Sequence, residues 1–395
     1  MSEAIIRIAA RGDGVSESGR HVALTAPGDR VGEGGLVEAG PHHAIPPCRH
    51  FPECGGCQLQ HVDDDAYRAF LIDRVRTALD AQGVSAGTIL PPHLSPPRSR
   101  RRASLHLERA GGRIIAGFKA QASHRIIDMR ECHILAPELF ALIDPLRQLA
   151  GRLGVGRSGA VAKLVLADQG VDLLLENVEA DDLHAAEALS AFAARHRIAR
   201  LSLDDGFGPQ IRWEPEPVTV TLGEVPVPLP HDAFLQATRD GEEALVAAVR
   251  EAIGDARIVA DLFCGIGTFA LRLPGKLLAA EAARDVVLAL KAAANAAQRP
   301  VFVDHRDLFR RPLTAAELSR FEAVVLDPPR AGAREQVQQI AESELARPAY
   351  VSCNPATFAR DAAMLVGAGF RLEWIKPVGQ FRWSTHVELV GCFRR

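Results

Sequence analysis

The sequence is poor in lysine and in large aromatic residues, and it lacks a long apolar run. Only 5 of its 46 basic side chains are lysine, and this bias makes any single arginine weak evidence for function. With 2 Tyr and 3 Trp, an extended platform for stacking single-stranded bases is not expected. No segment approaches the roughly 18 apolar residues of a membrane span, and the first residues lack a signal-peptide pattern. We therefore expect a cytoplasmic protein that does not contact membranes.

The length and charge are those of an ordinary globular protein. The 395 residues allow two or three domains. The net charge of −3 excludes a polycation, but a local cluster can still bind nucleic acid. Residues 98–113 carry six arginines against one glutamate, which favours contacts with RNA phosphates; a solvated face is the alternative. The basic positions are Arg98, Arg100, Arg101, Arg102, Arg109 and Arg113, with Lys119, His124 and Arg125 close behind.

The 7 cysteines are unevenly distributed. In a chain without a secretory signal, clustered cysteines indicate a metal site or catalysis rather than disulfides. The spacing C-x5-C-x2-C plus one distant cysteine supplies four thiols, which suits zinc or a [4Fe–4S] cluster, although a zinc ribbon expects a second C-x2-C. The candidate ligands are Cys48, Cys54, Cys57 and Cys132. We interpret Cys264 and Cys392 as packing residues.

Turn signals and Pro-rich stretches divide the chain into three predicted regions. Residues 1–45 indicate a few short strands that are too small to fold alone. Residues 46–230 begin with the cysteine cluster and a helix at 63–82, and continue as a mainly β region with one helix near 180–195. From 231 to 395 strands and helices alternate, which predicts a parallel, Rossmann-like α/β sheet covered on both faces.

The alternating region predicts individual elements. Its strands are expected at 257–262, 277–280, 300–303, 323–326 and 349–352, and its helices at 267–273, 284–297, 333–344 and 356–366. Two further strands at 371–376 and 386–393 are compatible with an antiparallel pair at the sheet edge.

The ends of these strands carry glycines and carboxylates. Gly265 and Gly267 follow the first strand, where glycine allows a tight turn near a ligand, although the third glycine of a dinucleotide fingerprint is missing. Glu281, Asp307 and Asp327 lie at the ends of the next three strands, and carboxylates there can accept hydrogen bonds from a ribose. Such a crevice fits an adenosyl ligand without pyrophosphate, so S-adenosylmethionine is expected rather than NAD.

The segment Val351-Ser-Cys-Asn-Pro places Cys353 between a strand and a helix. Pro355 is suited to the first helical position. The N-terminus of that helix is expected to stabilise a thiolate on Cys353, whereas a cysteine packed as a small apolar residue is the alternative.

This Ser-Cys-Asn-Pro segment resembles the signature of the RNA uridine-C5 methyltransferase family. Asp327-Pro-Pro-Arg-Ala-Gly, Phe234-Leu-Gln236 and His386-Val-Glu388 resemble further motifs of that family, and the ordered set covers about residues 46–395. The four cysteines resemble the [4Fe–4S] site of its ribosomal-RNA branch. Residues 1–45 then correspond to a truncated TRAM-like segment, and the helix at 63–83 is expected to pack on the catalytic domain.

The resemblance implies roles for individual residues. It implies Cys353 as the nucleophile and Glu388 as the base. Two positions depart from the family's usual asparagine, namely Thr238 and Thr268. The cofactor contacts that the resemblance implies are Gln236, Phe263, Thr268, Glu281, Asp307 and Asp327.

The chemistry explains why such an enzyme needs a thiol and a carboxylate. Uracil C5 is a poor nucleophile until a thiolate adds to C6, and the adduct must then lose its C5 proton to a base. We therefore expect a monomeric methyltransferase that acts on structured RNA, preferably rRNA rather than tRNA, after base flipping and without an obligate protein partner. An N-methyltransferase and a non-catalytic RNA-binding scaffold are the alternatives.

Overall fold

The computed structural model describes residues 2–156, 159–178, 180 and 182–395. Within these residues the helices are α1 (Asp64–Asp80), α2 (Pro137–Phe140), α3 (Ile143–Leu153), α4 (Leu183–His196), α5 (Arg239–Ile253), α6 (Arg284–Ala296), α7 (Ala315–Leu318), α8 (Arg334–Glu342) and α9 (Pro355–Gly367). The first strands are β1 (Glu3–Ile8), β2 (Gly14–Ser16), β3 (His21–Val22), β4 (Arg30–Val31), β5 (Val37–Glu38), β6 (Thr88–Ile89), β7 (His93–Leu94), β8 (Arg102–Ala110), β9 (Arg113–Gly117), β10 (Ala160–Leu166) and β11 (Val171–Glu176). They are followed by β12 (Ile198–Asp204), β13 (Gln210–Trp213), β14 (Thr219–Leu222), β15 (Val225–Pro228), β16 (Ile258–Leu262), β17 (Lys276–Glu281), β18 (Val301–His305), β19 (Ala323–Leu326), β20 (Pro348–Ser352), β21 (Arg371–Gly379) and β22 (Glu388–Arg394).

The chain forms two compact units, and each is assembled from separate stretches of sequence. The first contains the chain up to Ala66 together with Pro96–Val220 and Arg382–Thr385. The second contains Tyr67–Ser95, Thr221–Phe381 and His386–Arg395. No helix in the described part of the chain combines the length and apolar character that crossing a membrane requires.

The first unit contains two sheets. The N-terminal strands form an antiparallel sheet in the order β3-β2-β1-β4-β5, which confirms the prediction of short strands there. The larger sheet has the order β13-β12-β11-β10-β8-β9 and is antiparallel except for the pair β11 and β12. Helix α4 connects these two parallel strands, as a parallel crossover requires, and it confirms the helix predicted near 180–195.

Helix α3 was not predicted from the sequence. Pro145 and Gly151 lie within it and weaken its helical pattern. Pro145 lies in the first turn, however, where its missing N–H costs no intrahelical hydrogen bond. The helix is stabilised by packing, because Ile143, Leu146 and Leu149 are buried in the core of the first unit.

The second unit contains one large sheet with the order β18-β17-β16-β19-β20-β22-β21-β6, and β7 also pairs with β21. Strands β16 to β20 are parallel to one another, whereas β22 is antiparallel to both β20 and β21. Every residue of β19 and β20 is buried, so both faces of the sheet are covered, as predicted. Helices α5, α6 and α9 pack against its strands.

Two expectations about this unit need correction, and one helix was not predicted. The segment 267–273 forms turns rather than a helix, because Pro274 ends it after two isolated i→i−4 backbone bonds. The antiparallel pair β21 and β22 is not the sheet edge, because the short strands β6 and β7 add to β21 in parallel. Helix α5 was not predicted and packs against β19 to β22.

Candidate active site and cysteine pocket

The parallel strands of the second unit present polar side chains at one edge of the sheet. Glu281 ends β17, and Asp307, Asp327 and Cys353 follow β18, β19 and β20. The glycine turn with Thr268 follows β16. Because the carboxyl ends of parallel strands meet at one edge, the predicted site residues after these strands share that edge, where open α/β sheets bind ligands.

The turn after β16 requires glycine. Gly265 and Gly267 have φ values of +53° and +99°. A Cβ on Gly267 would lie 2.5 Å from Cδ1 of Leu290, whereas a Cβ on Gly265 would meet open space. Phe263 also has a positive φ of +62°, a strained conformation for an aromatic residue. The turn therefore holds the backbone close to the crevice.

Two carboxylates of the crevice are held by backbone N–H groups. Glu281 accepts hydrogen bonds from Gly265 (3.2 Å), Ala282 (2.8 Å) and Ala283 (2.9 Å). Asp307 accepts a hydrogen bond from the N–H of Phe309 at 3.0 Å. The ring centroid of Phe309 lies 5.4 Å from that of Phe263. The structure therefore joins Glu281 to the glycine turn, as the strand-end pattern predicted.

A chain of amides joins the Phe-x-Gln segment to Asp327. Gln236 Nε2 donates to Asp327 Oδ2 at 3.5 Å, and Gln380 Nε2 donates to Gln236 Oε1 at 2.7 Å. Gln380 Oε1 accepts from the N–H of Ala237 at 2.7 Å. Burial raises the pKa of Asp327 to about 7. Sequence reasoning missed Gln380, which follows the end of β21 and belongs to none of the recognised motifs.

Asp261 is a further carboxylate of this region. Sequence reasoning did not single it out, although it is the first residue of the glycine motif. It is fully buried in β16 and accepts a hydrogen bond from the N–H of Ala270 at 2.8 Å. Burial raises its pKa well above the ordinary value, and the nearby charges of Asp327 and Glu281 raise it further. The crevice therefore contains a set of closely interacting carboxyl groups.

Cys353 and Glu388 are brought together by strand pairing. Ser352, the last residue of β20, pairs with Leu389 of the antiparallel strand β22, so Cys353, which follows β20, lies beside Glu388, the first residue of β22. Glu388 is buried and Cys353 is partly exposed. Their charges interact, as do those of Cys353 and Asp327. The structure thus brings together the two residues predicted as nucleophile and base.

The expectation of a stabilised thiolate is wrong for Cys353. Burial raises the pKa of its thiol to about 11, and the negative charges of Glu388 and Asp327 add to the rise. A backbone hydrogen bond and the positive charge of Arg330 lower the pKa by less. Desolvation and the two carboxyl groups therefore favour the protonated thiol over the thiolate.

The N-terminus of α9 fixes the loop that carries Asp327. Asn354 caps the helix by accepting from the N–H of Ala356 at 3.1 Å, and Pro355 is its first residue, as predicted. The side chains of Asn354 and Thr357 both donate to the carbonyl oxygen of Arg330, at 3.1 and 3.2 Å. The loop after β19 is therefore tied to the segment that carries Cys353.

The remaining predicted positions are a helix cap, a residue of the glycine turn, a half-exposed phenylalanine and two buried cysteines. Thr238 caps α5 by accepting from the N–H of Gly241. Thr268 is buried in the glycine turn, and Phe234 is about half exposed. Cys264 and Cys392 are buried, which confirms them as packing residues.

Four cysteines line one pocket in the first unit, and burial raises the pKa of each thiol, that of Cys57 to about 12. Within the described ranges, no three His, Cys, Asp or Glu side chains converge closely enough to hold a single metal ion. Gln60 Oε1 accepts from the N–H of Cys48 at 3.2 Å. The pocket is lined by Cys48, His50, Phe51, Cys54, Gly56, Cys57, Gln60, Phe118, Ile127, Met129, Glu131, Cys132, His133 and Ile134.

The predicted basic cluster is only partly available to RNA. Arg101 is buried, and Arg100 lies against the ring of Phe118. The prediction that these two arginines contact RNA phosphates is therefore wrong. Arg113 lies 3.5 Å from Asp128. The exposed members are Arg98, Arg109, Arg113, Lys119, His124 and Arg125.

Comparisons with known proteins agree with this arrangement. The sequence model of the tRNA (Uracil-5-)-methyltransferase family matches residues 228–394. The chain is 52% identical over 393 residues to an uncharacterized RNA methyltransferase of Zymomonas mobilis, with 99% of both chains covered. It is 30% identical over 374 residues to the 23S rRNA (uracil(1939)-C(5))-methyltransferase RlmD of Pectobacterium atrosepticum, covering 91% of this chain and 82% of the relative.

The fold matches a solved structure over its whole length. A Pyrococcus abyssi tRNA (uracil-54, C5)-methyltransferase in complex with S-adenosyl-L-homocysteine superposes with a TM-score of 0.74 and covers 100% of both chains at 20% identity. The fold is thus a mixed α/β methyltransferase fold. The sequence relatives add the family: the chain belongs to the RNA (uracil-5) methyltransferases, enzymes that use S-adenosylmethionine.

Proposed function

We propose that this enzyme transfers a methyl group from S-adenosylmethionine to C5 of a uridine in 23S rRNA through a covalent bond between Cys353 and C6. The observation that carries the proposal is the pairing of β20 with β22, which puts a thiol and a buried carboxylate side by side. A methyl transfer to nitrogen would need neither group.

The methyl donor would bind at the edge of the sheet in the second unit. When bound, it supplies an electrophilic methyl group on a sulfonium. The glycine turn provides close backbone approach, and Glu281 is already oriented by three backbone N–H groups. The proposed contacts are Gln236, Phe263, Gly265, Gly267, Thr268, Glu281, Asp307 and Asp327.

The reaction requires two roles from this chain. Cys353 loses its thiol proton to solvent and its sulfur bonds to C6, which moves the C5–C6 electron pair into an enolate. C5 then bonds to the methyl group as the sulfonium–methyl bond of the donor breaks, which would release S-adenosylhomocysteine. Glu388 removes the C5 proton, the C5–C6 double bond re-forms, and the C6–S bond breaks to release the sulfur. The target uridine must leave its stack to reach the crevice, so we expect base flipping.

We also propose that Cys48, Cys54, Cys57 and Cys132 hold a [4Fe–4S] cluster. Four thiols lining one pocket are the donor set that such a cluster takes, and they fit it. A cluster binds one thiolate at each iron, and zinc, which takes all four thiolates on one ion, is the alternative. The cluster would join the 48–57 loop to the Cys132 segment and stabilise the first unit.

Iron analysis tests this assignment. After anaerobic purification we expect about four iron atoms per chain and a broad visible absorbance. Stoichiometric zinc without iron would overturn the cluster.

The RNA target rests on the relatives and on the exposed basic side chains. RlmD of Pectobacterium atrosepticum acts on 23S rRNA, whereas the Pyrococcus abyssi enzyme acts on tRNA. The four-cysteine pocket favours the ribosomal branch. Arg98, Arg109 and Arg113 are exposed for phosphate contacts, and β1 to β5 would act as a reduced TRAM-like module. We further propose that the enzyme works as a cytoplasmic monomer.

A trapping experiment distinguishes the proposal from its alternatives. The protein is incubated with S-adenosylmethionine and 5-fluorouridine-containing 23S rRNA or tRNA, and complexes that resist denaturation are measured. Fluorine at C5 cannot leave as a proton, so the wild type should form a lasting adduct with rRNA and Cys353→Ala should not. Equal labelling of both proteins contradicts the mechanism, preferential trapping of tRNA contradicts the proposed target, and RNA binding without any adduct supports a scaffold.

A further inference from the structure

Arg100 is fixed beside the cysteine pocket by its backbone. Its N–H donates to the carbonyl of Ile134 at 2.9 Å, and its own carbonyl accepts from the N–H of Ala136 at 2.9 Å. The N–H of Arg98 donates to the carbonyl of His133 at 2.9 Å. The segment around Arg100 therefore pairs with the residues that directly follow Cys132.

The side chain of Arg100 lies behind the pocket lining, against Phe118. Its guanidinium carbon lies 6.0 Å from the ring centroid of Phe118, which lines the pocket, and its Nε donates to the carbonyl of Arg102 at 3.0 Å. Its charge interacts with the thiols of Cys132 and Cys57. A guanidinium keeps its charge at any pH at which the protein is folded, so it is a permanent cation at this pocket.

The pocket needs such a cation. Four thiolates around a buried cluster leave a net negative charge in a region from which water is largely removed, and an uncompensated buried charge is unfavourable. Glu131, a carboxylate that lines the pocket, accepts a hydrogen bond from the N–H of Arg49 and lies 3.6 Å from the Nε of the same residue, so Arg49 already pairs with its charge. Arg100 is thus well placed to compensate the charge of the ligands.

We propose that Arg100 is a positioning residue of the cysteine pocket, whose charge sets the reduction potential of the bound cluster and slows its loss. This inference rests on the proposed [4Fe–4S] cluster. A reduced cluster carries one more electron than the oxidised cluster, so a nearby positive charge stabilises the reduced form and raises the potential. The role also explains why an arginine from the predicted RNA-binding cluster points inward.

The test compares variants that keep or remove the charge. Anaerobically purified wild type, Arg100→Gln, Arg100→Met and Arg100→Lys are titrated with dithionite, and the reduced cluster is followed by electron paramagnetic resonance. Iron release to a chelator is measured in parallel. The exposed Arg109→Met is the matched control, since it removes an arginine charge from the same region.

We expect a lower potential and severalfold faster iron release in Arg100→Gln and Arg100→Met, values near wild type in Arg109→Met, and intermediate values in Arg100→Lys. Wild-type potentials in iron-loaded Arg100→Gln overturn the inference. Equal potentials in Arg100→Lys and Arg100→Gln also overturn it, even when Arg100→Met does not fold. Absence of iron from the wild type would instead show that the cluster proposal has failed.

Discussion

Cys353 and Glu388 are separated by 34 intervening residues, yet they lie side by side because Ser352 pairs with Leu389 across β20 and β22. The proposed nucleophile thus directly follows one strand, and the proposed base begins the strand that is hydrogen-bonded to it. Their spacing is set by the register of the sheet. A shift of that register would separate them and would also turn buried side chains towards solvent.

The ionisation of Cys353 depends on its neighbour. Burial and the charges of Glu388 and Asp327 raise the pKa of the thiol to about 11, so the thiolate fraction should rise about tenfold per pH unit up to that value. Replacing Glu388 by Gln removes one negative charge, lowers the pKa and shifts the profile to lower pH. Iodoacetamide labelling of the Cys353 peptide, followed by mass spectrometry, measures the shift.

The exposed Glu344→Gln variant is the control for this labelling and should match the wild type. Superimposable profiles for Glu388→Gln and wild type would show that the two side chains are not coupled.

The proposed base can be tested with ordinary RNA. In Glu388→Gln the sulfur can still add and the methyl group can still transfer, but the C5 proton has no acceptor. We expect turnover to fall by roughly 10²–10⁴-fold, with a methylated covalent complex on unmodified uridine RNA. Gel analysis under denaturing conditions with labelled S-adenosylmethionine detects it. Loss of turnover without any such complex would place Glu388 before the methyl transfer.

Gln380 should matter for the cofactor site although it belongs to no motif. Its amide bonds to Gln236 and to the N–H of Ala237, and all three are buried. Gln380→Ala removes both buried hydrogen bonds, so we expect a loss of about 1–3 kcal/mol in unfolding free energy and weaker S-adenosylmethionine binding. Denaturant unfolding and titration calorimetry measure the two effects. The exposed Gln338→Ala should change neither, and wild-type affinity in Gln380→Ala would contradict the positioning role.

The two glycines of the turn form a matched pair for testing backbone approach. Both have positive φ, but only a Cβ on Gly267 meets a neighbour, Cδ1 of Leu290 at 2.5 Å. Gly265→Ala should therefore cost about 1 kcal/mol for the backbone alone, and Gly267→Ala roughly 1–3 kcal/mol more. Thermal and denaturant unfolding compare the two variants. Equal losses of stability would mean that the turn relaxes around the added methyl group.

The local pattern of the sequence was sufficient to predict most strands and helices of the second unit. Strands at 323–326 and 349–352 and helices at 284–297 and 356–366 lie within one residue of the observed elements at nearly every end. These segments are buried or amphipathic, so their hydrophobic periodicity is strong. Helix α5 and the strands β6 and β7 were missed, the strands because two-residue strands form only by adding to β21 and have no local signal.

The sequence by itself determined which chemical groups this protein has: a cysteine before a proline-started helix, carboxylates at strand ends, glycines in a turn and four cysteines in one arrangement. These depend on residue type and on short spacings. Only the tertiary structure decided that Arg100 lies against Phe118 and not among the exposed arginines, that Gln380 bonds to Gln236, and that burial and two carboxyl groups raise the pKa of Cys353. The pKa of a side chain depends on its burial, and its partners depend on pairing between segments that are distant in sequence. Neither property can be read from the residues next to it along the chain.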